Sequence, residues 1–527
     1  MTLLDAKHSH WSKYHDFWEI YDLLYRGGEE IQREAARFLI KRPKEVPEVF
    51  ATRLSMFDYQ NILGVALGWY QSKLFSKDPT IEVRLKGNSD PAAVPENRRK
   101  PYTDFLQNAD RNGTTYVDLW RQIYQNLLVF KGCYACIDLP SGTRSAPNRA
   151  AQRAQGGLDP YVMLYDPRAV INWAVDGLGK LEWIVIKIQT FHQDFLGDGV
   201  RTDRWTYYDR RRYRVYERST TTYKEASSTG PIALYSPAGQ PIDAGSEQTA
   251  ELVDEGAHAL ADSEQVPVRY FTIPDGLWLA SRAYLPAKAH LNIENSYQWA
   301  LFMANLPVPV ITSDTEIQHT ISETAFIQLD KGGKFEWSEP KGTSFEHSHN
   351  CLEAKREEIF RSVYLMAQGR SSSASASSSS GYAKEMDMLP SKDVLSAYGD
   401  IVRAGSQNLL SDVAMARGLN EKDLEFDVRG FNFEINPALQ EAETAEIMIS
   451  LDIPSDTLTK EMQKRVAHSY LTDANRQIIQ QVDDEIDAAP TRDELAAQQQ
   501  QQVKLSMDRQ LGRSVQAVGQ SAAQAEP

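Results

Sequence analysis

The chain has 527 residues, of which 42% are hydrophobic and 24% are charged, and its formal net charge is −15. This composition is typical of a folded protein with roughly three to four packed units, and it excludes a disordered or collagenous chain. The acidic balance argues against tight binding of DNA through global charge. Three cysteines are too few for a disulfide framework, which fits a reducing compartment.

No stretch of the sequence indicates a membrane span. The longest apolar stretch, Trp299 to Ile311, is too short to cross a bilayer and contains Pro307 and Pro309. Histidines and an aspartate near the N-terminus interrupt the apolar core that a signal peptide requires. We therefore expect a protein that stays in the cytoplasm.

The first 80 residues have helical periodicity. One helix should end at the glycine pair 27–28, because glycine favours helix ends. Its apolar face is formed by Phe17, Ile20, Leu23 and Leu24. A second amphipathic helix is predicted from Leu54, Phe57, Ile62, Val65 and Trp69.

The middle of the chain predicts a β-rich region. A helix over 116–129 and a strand at 133–138 come first, and residues 161–273 are rich in β-branched and aromatic residues. Asp176 to Gly179 has the composition of a turn, and the Ser, Thr, Gly and Ala content of residues 219–263 predicts surface loops. This is the β part of a mixed fold.

Two predicted helices then flank a small β module. The first covers 277–305 and must end at Pro307, since proline has no amide hydrogen to donate. Residues 326–337 predict a hairpin that turns at the glycine pair 332–333. The second helix starts near Cys351 and is expected to end near Gln368.

A serine-rich tract, 370–383, precedes the clearest amphipathic helix, which is predicted to begin near Leu389 and to run for about seven turns. The tract is either a linker between domains or a working loop. Two strands are predicted around Gly430. Residues 437–489 should be helical, with Ser455 or Asp456 as a helix cap, and the polar tail begins near Ala496.

Two clusters have metal-ligand residue types. Cys133 and Cys136 form a single CxxC, but positions three apart on a strand face opposite sides, and no second CxxC is present. His347, His349 and Cys351 alternate, so an extended strand would align them, whereas a solvated helix start would not. We expect no metal and no cofactor.

Seven arginines interleaved with tyrosines lie between Arg201 and Arg218. This composition suits a surface that stacks bases and contacts phosphates. It also suits cross-strand pairing on an exposed or intersubunit sheet face. Both interpretations stay open from sequence alone.

Motifs of common enzymes are missing from the sequence: there is no GxxxxGK[ST], GxGxxG after a strand, GxSxG or HExxH. The SxxK match at Ser338–Lys341 has a proline inside it and follows a predicted strand, where a nucleophilic serine should open a helix. We therefore expect no enzymatic activity.

The order of elements, together with several local stretches, resembles the portal proteins of tailed double-stranded DNA bacteriophages, in a family found in siphophages and prophages. The stretches are "FLIKRP" with Phe50, Arg53 and Asn61, then "KLFSKDPTIEV", "LLVFKGCYACIDLPSG", "AKAHLNIENSYQWALFMANLPVPVIT", "SSGYAKEMDML" and "DIPSDTLTKEM". Tyr382 and Asp452 depart from the residues usual in that family. The similarity is diffuse and extends over most of residues 15–490.

The resemblance implies an α+β portal fold divided in chain order. The parts are a wing at 1–275, a stem helix at 276–306, a clip at 307–345, a second stem helix at 346–368, a tunnel-loop region at 369–388, a long wing helix with strands at 389–438, a crown at 439–490 and a Gln/Ala-rich tail at 491–527. The implied DNA-channel and tunnel-loop candidates are Arg370, Lys384 and Lys392, and the implied clip candidates are Lys331, Lys334 and Lys341.

The resemblance also implies a function and partners. The chain would form a homo-oligomeric ring, about twelve subunits in the family, at one capsid vertex of the virion, after assembly in the host bacterial cytoplasm. Double-stranded DNA would pass through the ring, driven by the terminase large subunit. The other implied partners are the major capsid and scaffold proteins and a head-tail adaptor, with no membrane. The alternatives are another structural virion or scaffold protein, or an enzyme with an unrecognised motif.

Overall fold

The structure is a computed structural model. It describes residues 3–87, 93–139, 159–193, 199–222, 250–304, 308–312, 334–338, 343–365, 381–417, 423–431, 445–448, 450, 455–471, 476–490 and 494. The chain divides into two compact units, Met1–Phe433 and Glu434–Pro527.

The α-helices are labelled in chain order within the described residues. They are α1 Ser9–Arg26, α2 Gly28–Arg33, α3 Pro47–Ser55, α4 Ile62–Leu74, α5 Glu96–Gln107, α6 Tyr116–Phe130, α7 Leu279–Ala304, α8 Thr343–Ser362, α9 Gly381–Ala416, α10 Asp456–Tyr470 and α11 Arg476–Ala488. Single 3-10 turns lie at Leu3–Asp5, Ala35–Arg37, Ala261–Ser263 and Asp275–Leu277.

The strands are β1 Thr80–Leu85, β2 Gly132–Asp138, β3 Tyr161–Tyr165, β4 Val170–Val175, β5 Leu181–Gln193, β6 Gly199–Asp209, β7 Arg212–Thr222, β8 Glu251–Ala257, β9 Val268–Thr272, β10 Val308–Thr312, β11 Lys334–Ser338 and β12 Leu424–Arg429. They form sheets of order β4-β5-β6-β7-β8, β3-β2-β9, β1-β12 and β10-β11. All these pairings are antiparallel. The predicted α+β class is confirmed.

The first unit is built around the long helix α9. Its predicted apolar face is confirmed by the buried side chains Val394, Leu395, Tyr398, Val402, Leu409, Leu410 and Val413. The Tyr398 ring lies against Tyr70 of α4 and Tyr124 of α6, with centroid distances of 5.9 and 5.2 Å. Helix α9 therefore joins the N-terminal helices in one hydrophobic core, which burial of apolar surface stabilises.

The second unit contains α10 and α11. Ser455 caps α10, because its side chain accepts a hydrogen bond from the Leu458 amide, as the sequence predicts. Lys464 of α10 forms an ion pair with Asp487 of α11 at 2.7 Å. The cap stabilises the start of α10, and the ion pair joins α10 to α11.

The helix predictions for the N-terminal region need two corrections. The stripe from Leu54 to Trp69 belongs to two helices, α3 and α4, with a break at 56–61, and Val65 is 68% exposed. In α1, Trp18 and Tyr21 are buried while Phe17 is 42% exposed. The end of α1 at Gly27, with φ of 63°, is as predicted.

One β prediction needs correction, and the structure describes only part of two others. Part of the loop region 219–263 is strand, because β7 continues to Thr222 and β8 pairs with it. Strand β11 pairs with β10, so Val308 lies opposite Ser338, and residues 326–333 of the predicted hairpin lie outside the described residues. The predicted strand before Gly430 is β12, which pairs with β1 near the N-terminus, and the predicted strand after Gly430 lies outside the described residues beyond Phe431.

The helices on either side of the serine tract also differ from prediction. Helix α8 ends at Ser362, before the expected Gln368, and α9 begins at Gly381, eight residues before Leu389. Residues 381–388, which the resemblance places in a loop region, are therefore helical. Residues 366–380, including most of the serine tract, lie outside the described residues.

Candidate functional site

Helices α7 and α8 form an antiparallel hairpin. Near the end of α7, the Tyr297 ring lies 6.3 Å from Phe345, at the start of α8. Near the start of α7, the Arg282 guanidinium lies 4.6 Å from the ring centroid of Tyr364, two residues after α8. The 26 residues of α7 give the hairpin a length of about 39 Å.

The two-stranded sheet β10-β11 lies at the far end of this hairpin. Strand β10 follows α7 after three residues, and β11 precedes α8 by four. In the pairing, Thr312 lies opposite Lys334. We call this sheet the tip module. Its Val310 side chain is 45% exposed, so the tip offers apolar as well as charged surface.

The opposite end of the hairpin is fixed in the core by hydrogen bonds from three elements. The Trp278 indole donates to the Val129 carbonyl at 2.9 Å, and the Tyr70 hydroxyl donates to the carbonyl of Val363 at 2.6 Å. From α9, the Ser391 hydroxyl donates to the Tyr364 carbonyl at 2.5 Å. Because these donors come from α4, α9 and the turn before α7, we call this end the hairpin base.

Two asparagines on one side of α7 bind the main chain of N-terminal segments. Asn295 accepts from the Asp58 amide at 3.0 Å and donates to the Asp58 carbonyl at 2.8 Å. Asn292 accepts from the Ile40 amide at 3.2 Å and donates to the Phe38 carbonyl at 3.1 Å. An asparagine can satisfy a donor and an acceptor at once, so α7 is held in register by two such clamps.

Between the asparagines lies a buried carboxyl group, Glu294, which is 3% exposed. Burial and the nearby Asp58 raise its pKa to about 7, against a smaller lowering by hydrogen bonds from Gln60. Its Oε2 atom is 3.7 Å from Nδ1 of His290, a separation too long for a hydrogen bond. Burial, followed by the charge of Arg356, lowers the pKa of His290, so this imidazole is neutral near pH 7.

Two of the predicted site lysines have described side chains, and they lie at opposite ends of the hairpin. Lys334 is exposed at the start of β11, and Lys392 is half-buried beside Ser391 at the hairpin base. The length of α8 separates these two levels, about 30 Å for 20 residues. Lys384 lies in the first turns of α9. The other candidates, Lys331, Lys341 and Arg370, lie outside the described residues.

The arginine- and tyrosine-rich segment forms strands β6 and β7 of the five-stranded sheet. Five of its seven arginines form ion pairs with carboxylates. The pairs are Arg204–Glu217, Arg210–Asp176, Arg211–Glu264, Arg214–Glu255 and Arg218–Asp203. Arg218 also covers the Trp205 ring at 4.9 Å. Three of these pairs, those of Arg204, Arg214 and Arg218, join directly opposed residues of neighbouring strands, and the other two lie at turns. Ion pairing within the chain therefore accounts for most of this charge and favours the structural interpretation.

The cysteine motif lies on a buried strand, and the histidine motif lies on a helix. Cys133 and Cys136 are both buried on β2 but belong to different hydrophobic clusters, on opposite sides of the sheet, as predicted. His347, His349 and Cys351 are exposed on helix α8, so the extended arrangement that would align them is wrong. Ser338 is the last residue of β11, and the rest of that SxxK match lies outside the described residues.

One described group has ligand atoms close enough to hold a cation: His15, Asp16 and Glu19, on the surface of α1. Sequence reasoning missed this group and also the roles of Asn292, Glu294 and Asn295. The sequence signal for the roles of Asn292, Glu294 and Asn295 was their place together in the predicted helix, since polar residues on a buried helix face need partners.

Comparison with known proteins gives weak likenesses. No protein family and no curated protein matches the chain. A chain of the solved structure "Neck of empty GTA particle computed with C6 symmetry" is 10% identical, with a TM-score of 0.39, covering 73% of this chain and 84% of that one. A chain of "Virion of native gene transfer agent (GTA) particle" is 10% identical, with a TM-score of 0.38, covering 79% and 92%. At these scores the likeness identifies neither a family nor a function.

In the part of the chain that the structure describes, no helix is both long and apolar enough to cross a membrane.

Proposed function

We propose that this chain is the subunit of a portal ring in a tailed bacteriophage, through which DNA enters and leaves the capsid. The observation that carries the proposal is the order α7, tip module, α8 and then α9. An antiparallel helical hairpin with a small β-sheet at its far end extends from an α+β body, and a 36-residue helix then returns through the core. The residue patterns that resemble portal proteins follow the same order.

In this proposal α7 and α8 are the stem, the tip module belongs to the clip, and α9 is the long wing helix. Residues 1–275 are the wing, and α10 and α11 belong to the crown. The terminase large subunit docks at the clip, where Lys334 is exposed. The head-tail adaptor, capsid and scaffold proteins bind the outside of the ring at one capsid vertex of the virion.

The charge of the chain suits a conduit. A ring that binds duplex tightly would stop it from sliding, and a net charge of −15 keeps the average interaction repulsive. Lysines at a few levels, such as Lys334 at the tip and Lys392 at the base, then contact phosphates in passing. The ring size of about twelve subunits comes from the family resemblance alone.

Electron microscopy of the purified full chain tests the proposal. We expect rings with a central hole as wide as duplex DNA. A stable monomer at micromolar concentration would overturn it, and a closed assembly without a hole would favour another structural virion or scaffold protein.

A packaging assay tests the role of the tip. We expect Lys334→Glu to leave rings intact and to lower DNA packaging, because it reverses charge where the motor docks. The matched control is Lys180→Glu on the exposed β4–β5 turn of the body, which should package normally. Equal packaging by both variants would contradict a docking or DNA-contacting tip.

A deletion of Ser371 to Ser379 tests the tunnel-loop assignment of that tract, with Arg370 and Lys384 retained. We expect assembly to survive and packaging to fall. Normal packaging would favour the simple linker interpretation.

A further inference from the structure

The most unusual group outside the proposed DNA path is the buried carboxyl of Glu294, in the middle of α7. It is 3% exposed, and in the described structure its Oε2 atom has no hydrogen-bond partner. A buried ionised carboxylate without a cation is costly, whereas the protonated acid is tolerated. The side chain therefore has a strong reason to hold a proton.

The groups that face Glu294 come from three elements. Segment 56–61 contributes Asp58, Tyr59 and Gln60: the Asp58 charge opposes ionisation of Glu294, while Gln60 donates hydrogen bonds to it. The Tyr59 hydroxyl donates to the Leu24 carbonyl at 2.7 Å, so it is directed away. On α7 itself the neighbour is His290.

Helix α8 contributes two charged side chains, Arg356 and Glu353, which act on the pKa of His290. Arg356 lowers the pKa of this histidine and Glu353 raises it, but burial has the largest effect and lowers it. A neutral His290 gives no positive charge to compensate an ionised Glu294. The two carboxyl groups, Glu294 and Asp58, therefore oppose each other whenever both are ionised.

Segment 56–61 is held against α7 by Asn295, the residue that follows Glu294. Both main-chain polar groups of Asp58 bind Asn295, and the Asp58 carboxylate accepts from Gln298 at 3.0 Å. Repulsion between Glu294 and Asp58 thus acts directly on the segment that these bonds hold against α7. The second clamp, between Asn292 and the main chain at 38–40, is on the other side of Glu294 and does not include Asp58.

We propose that Glu294 and Asp58 form a proton-dependent lock, in which a proton on Glu294 keeps segment 56–61 clamped to α7 and loss of that proton loosens the clamp. The lock acts on the attachment of the helical hairpin to the N-terminal helices. It is a property of the folded chain and does not depend on ring formation or DNA.

The direction of the pH dependence follows from linkage. The pKa of Glu294 is about 7 when the segment is clamped and near the ordinary 4.5 once the segment opens and water reaches it. The closed form therefore binds more protons between these values, so the opening constant rises as the pH increases from about 4.5 and levels off above about 7. His290 acts in the opposite sense, because its lowered pKa favours opening as the pH falls.

Hydrogen exchange of the Asp58 amide reports the opening, since this amide donates to Asn295. The amide of Ile40 is the internal control, because it donates in the same way to Asn292. Full-length wild type and Glu294→Gln are compared from pH 5 to pH 8.5, after correction for intrinsic exchange rates. The opening constant of wild type is divided by that of Glu294→Gln, and this ratio removes the contribution of His290, which is present in both proteins.

We expect the wild-type to Glu294→Gln ratio at Asp58 to be about fourfold at pH 5 and to rise to about three hundredfold by pH 8, while the ratio at Ile40 stays near one. A ratio near one at Asp58 over the whole range would overturn the lock, and so would an equal rise at Ile40. Should Glu294→Gln fail to fold, Asp58→Asn gives the second measurement. Removing the Asp58 charge should lower the pH at which opening levels off, and an unchanged pH profile would overturn the proposal.

Discussion

Asn295 binds the amide and the carbonyl of Asp58 at the same time, at 3.0 and 2.8 Å, from a side chain that is 6% exposed. Replacing it by alanine leaves both main-chain groups without these bonds and opens a small void against α7. We expect Asn295→Ala to lower the free energy of unfolding by about 2–3 kcal/mol. Urea denaturation of the purified chain measures this difference.

The matched control for this variant is Gln298→Ala, one turn further along α7. Its amide also binds Asp58, but at the exposed carboxylate, where water can replace it. We expect a change within about 0.5 kcal/mol. Equal losses for the two variants would mean that the Asn295 clamp contributes no more than a surface contact.

Two buried tyrosines that share a neighbour should respond in opposite ways to loss of the hydroxyl. Tyr70 donates to the Val363 carbonyl at 2.6 Å, whereas the described structure has no partner for the Tyr124 hydroxyl. We expect Tyr70→Phe to cost about 1–2 kcal/mol and Tyr124→Phe to be neutral or stabilising. Both rings pack on Tyr398, so their packing surroundings are comparable. A larger loss for Tyr124→Phe would contradict the hydrogen-bond assignment.

Much of the architecture can be predicted from sequence because its signals are local. The apolar residues from Val394 to Val413 recur at helical spacing, and they form the buried face of α9 as predicted. The alternation in β2 places Cys133 and Cys136 on opposite sides of a sheet, so their spacing alone argues against a shared metal ion.

The features that the sequence did not predict depend on contacts between residues that are far apart in the chain. The break between α3 and α4 depends on Asn61, which caps α4 through the Gly64 amide and donates to the Tyr25 carbonyl, a contact across 36 positions. The partner of β12 is β1, far away in sequence, so no local turn could reveal it. The raised pKa of Glu294 depends on Asp58, which is distant in the chain and adjacent only in the fold.

Two helical glycines should respond in opposite ways to alanine. A Cβ atom on Gly399 of α9 would lie 2.1 Å from the Phe431 carbonyl oxygen, so the turn after β12 would have to move. A Cβ atom on Gly68 of α4 would have nothing within 4 Å. We expect Gly399→Ala to cost about 2 kcal/mol or more and Gly68→Ala to gain about 0.5–1 kcal/mol, since alanine is the better helix former.

Urea denaturation of both glycine variants and wild type, under identical conditions, gives the comparison. Gly68→Ala controls for the general effect of alanine in a helix. A stabilised Gly399→Ala would show that the close approach of α9 and residue 431 is not required.

The three cysteines should differ sharply in reactivity. Burial raises the pKa of the Cys133 and Cys136 thiols to about 12, so almost no thiolate is present near pH 8 and reagents cannot reach the sulfur atoms. Cys351 is exposed on α8. With Ellman's reagent at pH 8 we expect one thiol per native chain to react promptly and all three to react in denaturant. Cys351→Ser should remove the prompt reaction, while Cys133→Ser should leave it unchanged. A prompt reaction that persists in Cys351→Ser would contradict the burial of β2 between two hydrophobic clusters.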